Sequence, residues 1–193
     1  MAELNKMDPK TTVLLTLDCQ KGITSFVEGS TNILKLAALV LEAARSKNIP
    51  VMHVGIGFRP GYPEVNPEHP SFGMIRKSGR FVIGTESVEF HESVAPKPGE
   101  ITIFKHRVSA FSGNDLEMIL RSQGIRTLVF FGIATSGIVL STLRQAADLD
   151  FKCVVIKDCC FDSDEEVHRV LTEKVFKKQA TVVDAETFIR EMV

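Results

Sequence analysis

The segment VFFGIATSGIVLST, residues 129–142, constrains the fold more than any other part of the chain. Val129, Phe130 and Phe131 form an apolar run that fits a strand buried on both faces. Gly132 interrupts the run, and the small residues Ala134, Thr135, Ser136 and Gly137 lead into helical spacing over residues 138–148. A strand that passes through a small turn into a helix belongs at the carboxyl edge of a sheet. Backbone N–H groups and a helix N-terminus collect there, and open α/β proteins bind ligands and anions there.

The flanking sequence repeats this alternation. Apolar, β-branched runs at residues 12–17, 49–56, 101–104, 126–131, 151–157 and 180–183 read as six strands. Helical spacing covers residues 33–46, with Ser30, Thr31 and Asn32 as candidate caps, and residues 114–123, capped by Asn114 or Ser112 and stopped by Gly124. Two further helical stretches run from Ser163 or Asp164 to about residue 178, and over the last residues of the chain. Residues 57–84 differ: they mix Gly, Pro, charge and isolated aromatics without periodicity, and read as a long loop able to fold over the strand ends as a lid. Residues 85–95 leave room for a short helix. Strands alternating with helices predict one three-layer α/β/α domain with a six-stranded parallel sheet, spanning residues 1–193, with residues 1–10 as a loose polar tail.

Composition narrows the function classes. A chain of 193 residues with 44% hydrophobic and 24% charged residues fits an ordinary soluble globular domain. A formal net charge of -1 and the lack of any basic run longer than two residues argue against nucleic acid or an anionic membrane as partner. No apolar run is long enough to cross a bilayer, and the polar first ten residues hold no signal-peptide core. Cys19, Cys153, Cys159 and Cys160 lack zinc-site spacing. Reduced thiols in a cytoplasmic protein, with no metal or other cofactor, are the expectation.

Three polar positions converge on one sheet edge. Asp18 ends the first strand, Lys105 ends the third, and the turn at residues 134–138 follows the fourth. A carboxyl and an ammonium at neighbouring strand ends can exchange protons with a substrate, while turn N–H groups can face a developing oxyanion. Lys105 lowers the pKa of a nearby carboxyl and burial raises it; the sequence does not decide between them. Simpler roles stand beside this one. Asp18 can be a cap or an ion-pair partner, and Lys105, His106 and Arg107 can form a solvated basic cluster. His53 lacks a nearby ligand partner and reads as a core or loop histidine. Asp162, Asp164, Glu165 and Glu166 read as negative charge at a helix N-terminus.

The pieces LDCQKG, FKHRVSAFSGNDLEMIL, GIATSGIVLSTLRQAADLDF and VVIKDCC together resemble the isochorismatase-like hydrolases, or cysteine hydrolases, over residue 12 to about 183. That family includes nicotinamidases, N-carbamoylsarcosine amidohydrolases and isochorismatases. The resemblance implies a Rossmann-like six-stranded sheet, a small-molecule substrate, a homo-oligomer of two or more subunits, and an Asp, Lys and Cys triad. Asp18 and Lys105 match the Asp and Lys. Ile133 and Ala134 match a cis peptide of the oxyanion turn, which Thr135 continues. Gln20, Ser109 and Phe111 match substrate-lining positions.

The nucleophilic Cys of the family falls at position 138, where this chain has Ile138. An isoleucine side chain has no nucleophilic atom, and the activated thiolate that forms an acyl-enzyme is missing. The metal-binding Asp-x-His of nicotinamidases is also missing after the second strand. Three readings follow: a hydrolase without a covalent intermediate, resembling isochorismatases; a ligand-binding member without catalysis; or Cys19 as a displaced nucleophile. The last is the weakest, because Cys19 follows Asp18 directly and alternation turns it to the other face.

Overall fold

In the computed structural model, residues 6–27 and 30–192 are described. Six strands, β1 (Thr12–Leu17), β2 (Val51–Ile56), β3 (Ile101–Lys105), β4 (Thr127–Gly132), β5 (Lys152–Ile156) and β6 (Ala180–Val183), form one sheet in the order β3-β2-β1-β4-β5-β6. Every pairing is parallel. β1 and β2 are buried at every residue, so both faces are covered and the fold has three layers. The helices are α1 (Lys21–Thr24), α2 (Ser30–Ser46), α3 (Pro70–Ser78), α4 (Leu116–Ser122), α5 (Leu140–Asp148), α6 (Glu165–Val170) and α7 (Ala185–Thr187).

Local differences from the sequence reading have local causes. β2 starts at Val51, because the Ile49 N–H is taken by Ala44 O at the end of α2 and Pro50 has no N–H to give. Helical structure after β4 begins at Thr135, earlier than the side-chain spacing indicates, as a π-type turn over Thr135–Val139 that runs into α5. α2 begins at Ser30, so Thr31 and Asn32 lie inside it, and its cap falls outside the described residues. Of the expected loose tail, residues 1–5 are outside the described residues; Met7 is tied down by an N–H bond to Met192 O.

The loop at residues 57–84 carries its own helix, α3. Its cap is His69, whose ring nitrogen accepts from Ser71 N and Phe72 N. Gly79, at φ 71°, ends it in the left-handed conformation that glycine takes readily. Phe58, Tyr62, Phe72 and Phe81 give the segment a small core separate from the main one, and the Phe58↔Val82 bridge closes its base. Residues 85–95 hold two 3-10 turns, Glu86–Val88 and Glu92–Val94, in place of one helix.

The strand order reverses direction at β1, whose neighbours are β2 and β4. In open parallel sheets the crevice at such a switch point, beyond the carboxyl ends of the strands, is the ligand site. Leu17 pairs with Gly132 there. A Cβ on Gly132 would collide with the Leu17 carbonyl oxygen, so only glycine lets β4 leave the sheet this close to β1.

Candidate active site

Asp18 follows β1 directly, at the carboxyl edge of the sheet. Its backbone is left-handed (φ 56°), its N–H is fixed to Val54 O at 2.8 Å, and its side chain turns toward β3. Lys105 is the last residue of β3, in register with Ile56 of β2. Its side chain reaches back across β2, and Nζ lies 2.9 Å from Asp18 Oδ2 and donates to Arg107 O at 3.0 Å. Asp18 is 6% and Lys105 2% exposed. Burial raises the Asp18 pKa above its ordinary value against the lowering effect of Lys105, so the question left open by the sequence is decided for desolvation. The second carboxyl oxygen, Asp18 Oδ1, is buried and has no hydrogen-bond partner among the described residues.

The turn lies at the adjacent strand end. The Ile133–Ala134 peptide is cis, and Ile133 N–H donates to Leu17 O at 3.1 Å. Thr135 N–H donates to Phe161 O at 2.7 Å, and Ser136 N–H donates to Asp162 Oδ2 at 2.7 Å. Gly137 N–H and Val139 N–H both point back to Ala134 O. The Ala134 N–H donates to no acceptor among the described residues. Ile138, in the first turn of the helical segment, is 2% exposed and belongs to the main apolar core.

The other residues singled out in the sequence have their polar atoms engaged. Gln20 is fully buried; Nε2 donates to Ile56 O and Val88 O, each at 2.9 Å, and Oε1 accepts from Ile56 N at 2.8 Å. Ser109 Oγ donates to Gln145 Oε1 at 2.7 Å, and Ala110 N–H donates to Thr142 Oγ1, which docks the loop after β3 onto α5. Phe111 is 7% exposed and stacks on Phe151. Among the cations of the 57–84 loop, Arg59 pairs with Glu64. Arg80 donates to Gly22 O and covers the Phe26 and Phe81 rings. Both hold lid structure; Lys77 is exposed.

All four cysteines are buried and free. Burial pushes the Cys153 and Cys160 thiols up to about 12, and the Cys19 and Cys159 thiols further up. His53 is a core residue of β2, 2.9 Å from Thr16 Oγ1 on one side and 2.9 Å from Glu100 Oε2 on the other. Among the described residues, no three His, Cys, Asp or Glu side chains are grouped to hold a metal ion.

Two residues near the turn escaped the sequence reading. Asp164 alone caps α6, accepting from Glu166 N and Val167 N, whereas Asp162 leaves that acidic group and holds Ser136 N–H. His168 on α6 places Nδ1 2.8 Å from Thr135 Oγ1. Nothing local in the sequence distinguishes Asp162 from Asp164; only the position of the turn does.

Residues 12–187 match the isochorismatase domain model. Ureidoacrylate amidohydrolase of Pseudomonas syringae pv. syringae is 32% identical over 209 residues, covering 95% of this chain and 80% of that protein. Maleamate amidohydrolase of Pseudomonas putida is 27% identical over 188 residues, covering 93% and 85%. Among solved structures, an isochorismatase family protein from Desulfovibrio vulgaris superposes with a TM-score of 0.83 at 26% identity, over 92% of this chain and 96% of that one. A cysteine hydrolase from Pseudomonas syringae pv. phaseolicola shares the fold, with a TM-score of 0.87 at 20% identity over 99% and 98%. The domain match over nearly the whole chain, joined to the sheet edge that carries Asp18, Lys105 and the cis Ile133–Ala134 turn, establishes that the chain belongs to the isochorismatase family.

Proposed function

We propose that this chain hydrolyses a small anionic or carbonyl-bearing metabolite by acid–base chemistry at Asp18 and Lys105, without a cysteine nucleophile. The observation that carries this reading is the Asp18 carboxyl: one oxygen is held by Lys105, and the other is buried, unpartnered and raised toward its protonated form. A carboxylic acid in that state can donate a proton to a substrate and take one back from water. Lys105 favours the carboxylate that the first transfer leaves behind. The Ala134 N–H supplies a donor toward negative charge developing on a carbonyl oxygen.

On a vinyl ether, Asp18 gives its proton to the vinyl carbon. Water then adds to the resulting oxocarbenium carbon and returns a proton to Asp18, and the hemiketal breaks into a carbonyl compound and an alcohol. On an amide, the chemistry starts instead from the ionised form of Asp18, which Lys105 favours: the carboxylate takes the proton of the attacking water and delivers it to the leaving nitrogen. The names of the relatives, amidohydrolases of ureidoacrylate and maleamate, favour small amide-bearing acids as the substrate class. Ile138 excludes the acyl-enzyme route at position 138, and the buried, raised thiol of Cys19 supports no displaced nucleophile. The protein is expected to act in the cytoplasm as a homodimer or larger assembly, which light scattering after size exclusion measures.

The test is turnover of a panel of vinyl ethers and amides, with ureidoacrylate and maleamate included. Turnover that disappears in Asp18→Asn supports the reading; undiminished turnover removes Asp18 from the chemistry. A second reading, a binding protein without catalysis, has one observation in its favour: Asp18, Lys105 and Ile138 are all almost fully withdrawn from solvent. It predicts a panel compound that raises the melting temperature and yields no product.

A further inference from the structure

The segment after β5 grips the turn from outside. Ile133 bridges to Phe161, and Phe161 O takes the Thr135 N–H. Asp162 Oδ2 takes the Ser136 N–H, and His168 Nδ1 meets the Thr135 hydroxyl at 2.8 Å. The donors that follow Ala134 are thus fixed by residues 161–168, and the Ala134 N–H between them and β4 is left unused.

Thr135 is 0% exposed, and His168 Nδ1 is the hydrogen-bond partner of its hydroxyl among the described residues. A buried hydroxyl proton needs an acceptor. A neutral imidazole with its proton on Nε2 offers a lone pair at Nδ1 and accepts it. An imidazolium carries a proton on both nitrogens and meets the hydroxyl as a donor, so the hydroxyl proton must turn into a region without an acceptor. The two protonation states of His168 therefore hold the turn differently.

We propose that His168 is a positioning residue for the oxyanion turn: as the neutral Nε2–H tautomer it accepts the Thr135 hydroxyl proton and holds the Ala134 N–H in place, and protonation of the ring releases that hold. The proposal rests on the reading of the Ala134 N–H as the donor to the reacting group, but the hold itself requires no turnover. The charged groups facing the ring are Asp162, which favours the imidazolium, and Lys157, directly after β5, which opposes it. The turn itself presents the neutral Thr135 and Ser136. On α6, Glu166 is paired with Arg169. Burial outweighs these influences and holds the ring below its ordinary 6.5, so the neutral state prevails at neutral pH.

The experiment is NMR of the full chain with 15N-labelled histidine and backbone, titrated from pH 8 to pH 5, with the His168 signal assigned from His168→Gln. At pH 7.5 the expected result is an unprotonated Nδ1, a protonated Nε2, and an Ala134 amide signal that shifts with the midpoint of the ring on acidification. His168→Gln keeps an acceptor for the Thr135 hydroxyl, so the pH 7.5 position of the Ala134 amide is expected to persist while its midpoint disappears. His168→Ala removes the acceptor, and exchange of the hydrogen-bonded Thr135 and Ser136 amides should speed up by roughly tenfold or more. A protonated Nδ1 at pH 7.5, or an Ala134 amide indifferent to the ring titration, overturns the proposal. Were the Ala variant to unfold, the wild-type and Gln titrations still decide. A panel without any turned-over compound would overturn the hydrolase reading and leave these signals as expected, so the two failures are distinguishable.

Discussion

Asp18 Oδ2 and Lys105 Nζ stand 2.9 Å apart at a sheet edge where both side chains are almost fully withdrawn from solvent. Removing two charges from water costs about as much as their attraction returns, but removing one partner leaves an uncompensated buried group. Asp18→Asn and Lys105→Met should each destabilise the chain by about 3–5 kcal/mol, and the double variant by clearly less than the sum. Urea unfolding of the four proteins measures the coupling. Additive losses would mean that the two groups do not depend on each other.

The strand-end positions of Asp18 and Lys105 are legible because β-branched runs stop at them. Their contact is not, because it depends on the order β3-β2-β1 and on the Ile56↔Lys105 register, which no local pattern encodes. The same limit hides α3: its cap is the ring of His69 in place of the usual Ser or Asp. It also hides Gln20, whose partners lie 36 and 68 residues away. The state of Asp18 is set by burial, a tertiary quantity, so the sequence could name the two opposing influences without weighing them.

Ile138 stands in the first turn after the Ala134 N–H, at the position where the family resemblance expects the nucleophilic thiol. The native thiols are buried and raised, so iodoacetamide at pH 7 should leave the folded wild type almost untouched. In Ile138→Cys the new thiol should be alkylated at least about tenfold faster than that background, and Lys105→Met should slow it again. Mass spectrometry of the labelled peptides reports the site. Labelling no faster than in the wild type would mean that the surroundings of position 138 no longer activate a thiol.

Glu100 joins the lower end of the sheet to α2. Arg45 donates to both carboxylate oxygens at 2.8 Å, and His53 and the Lys97 N–H lie at 2.9 and 2.7 Å. These partners outweigh burial and hold its pKa at about 2, below the ordinary 4.5. A depressed carboxyl pKa contributes stability that is complete above the unfolded value and is lost as pH falls through the folded value. The stability gap between wild type and Glu100→Gln should therefore be widest near pH 7, at up to about 3 kcal/mol, and should shrink as pH falls from 4.5 toward about 2. Urea midpoints across that range measure it; a gap independent of pH would assign the network no electrostatic role.

Gln20 acts as a latch between the sheet and the segment under the lid. Its amide holds both backbone groups of Ile56 at the end of β2 and the carbonyl of Val88, and Gly55 gives it room, since a Cβ there would come within 2.6 Å of the amide carbon. Gln20→Leu preserves the volume but leaves one N–H and two carbonyls buried without partners. At about 1–3 kcal/mol for each orphaned group, partly relieved by relaxation, a total loss of about 3–5 kcal/mol is expected. Hydrogen exchange over residues 57–90 should rise more than in the strands. Gln20→Glu separates geometry from charge: its carboxylate can accept from Ile56 N but faces two carbonyls with no proton to give, so it should resemble the Leu variant at pH 7 and recover stability in acid, where the carboxyl is protonated. A Leu variant as stable as wild type, with unchanged exchange in the lid, would show that Gln20 does not hold the two parts together.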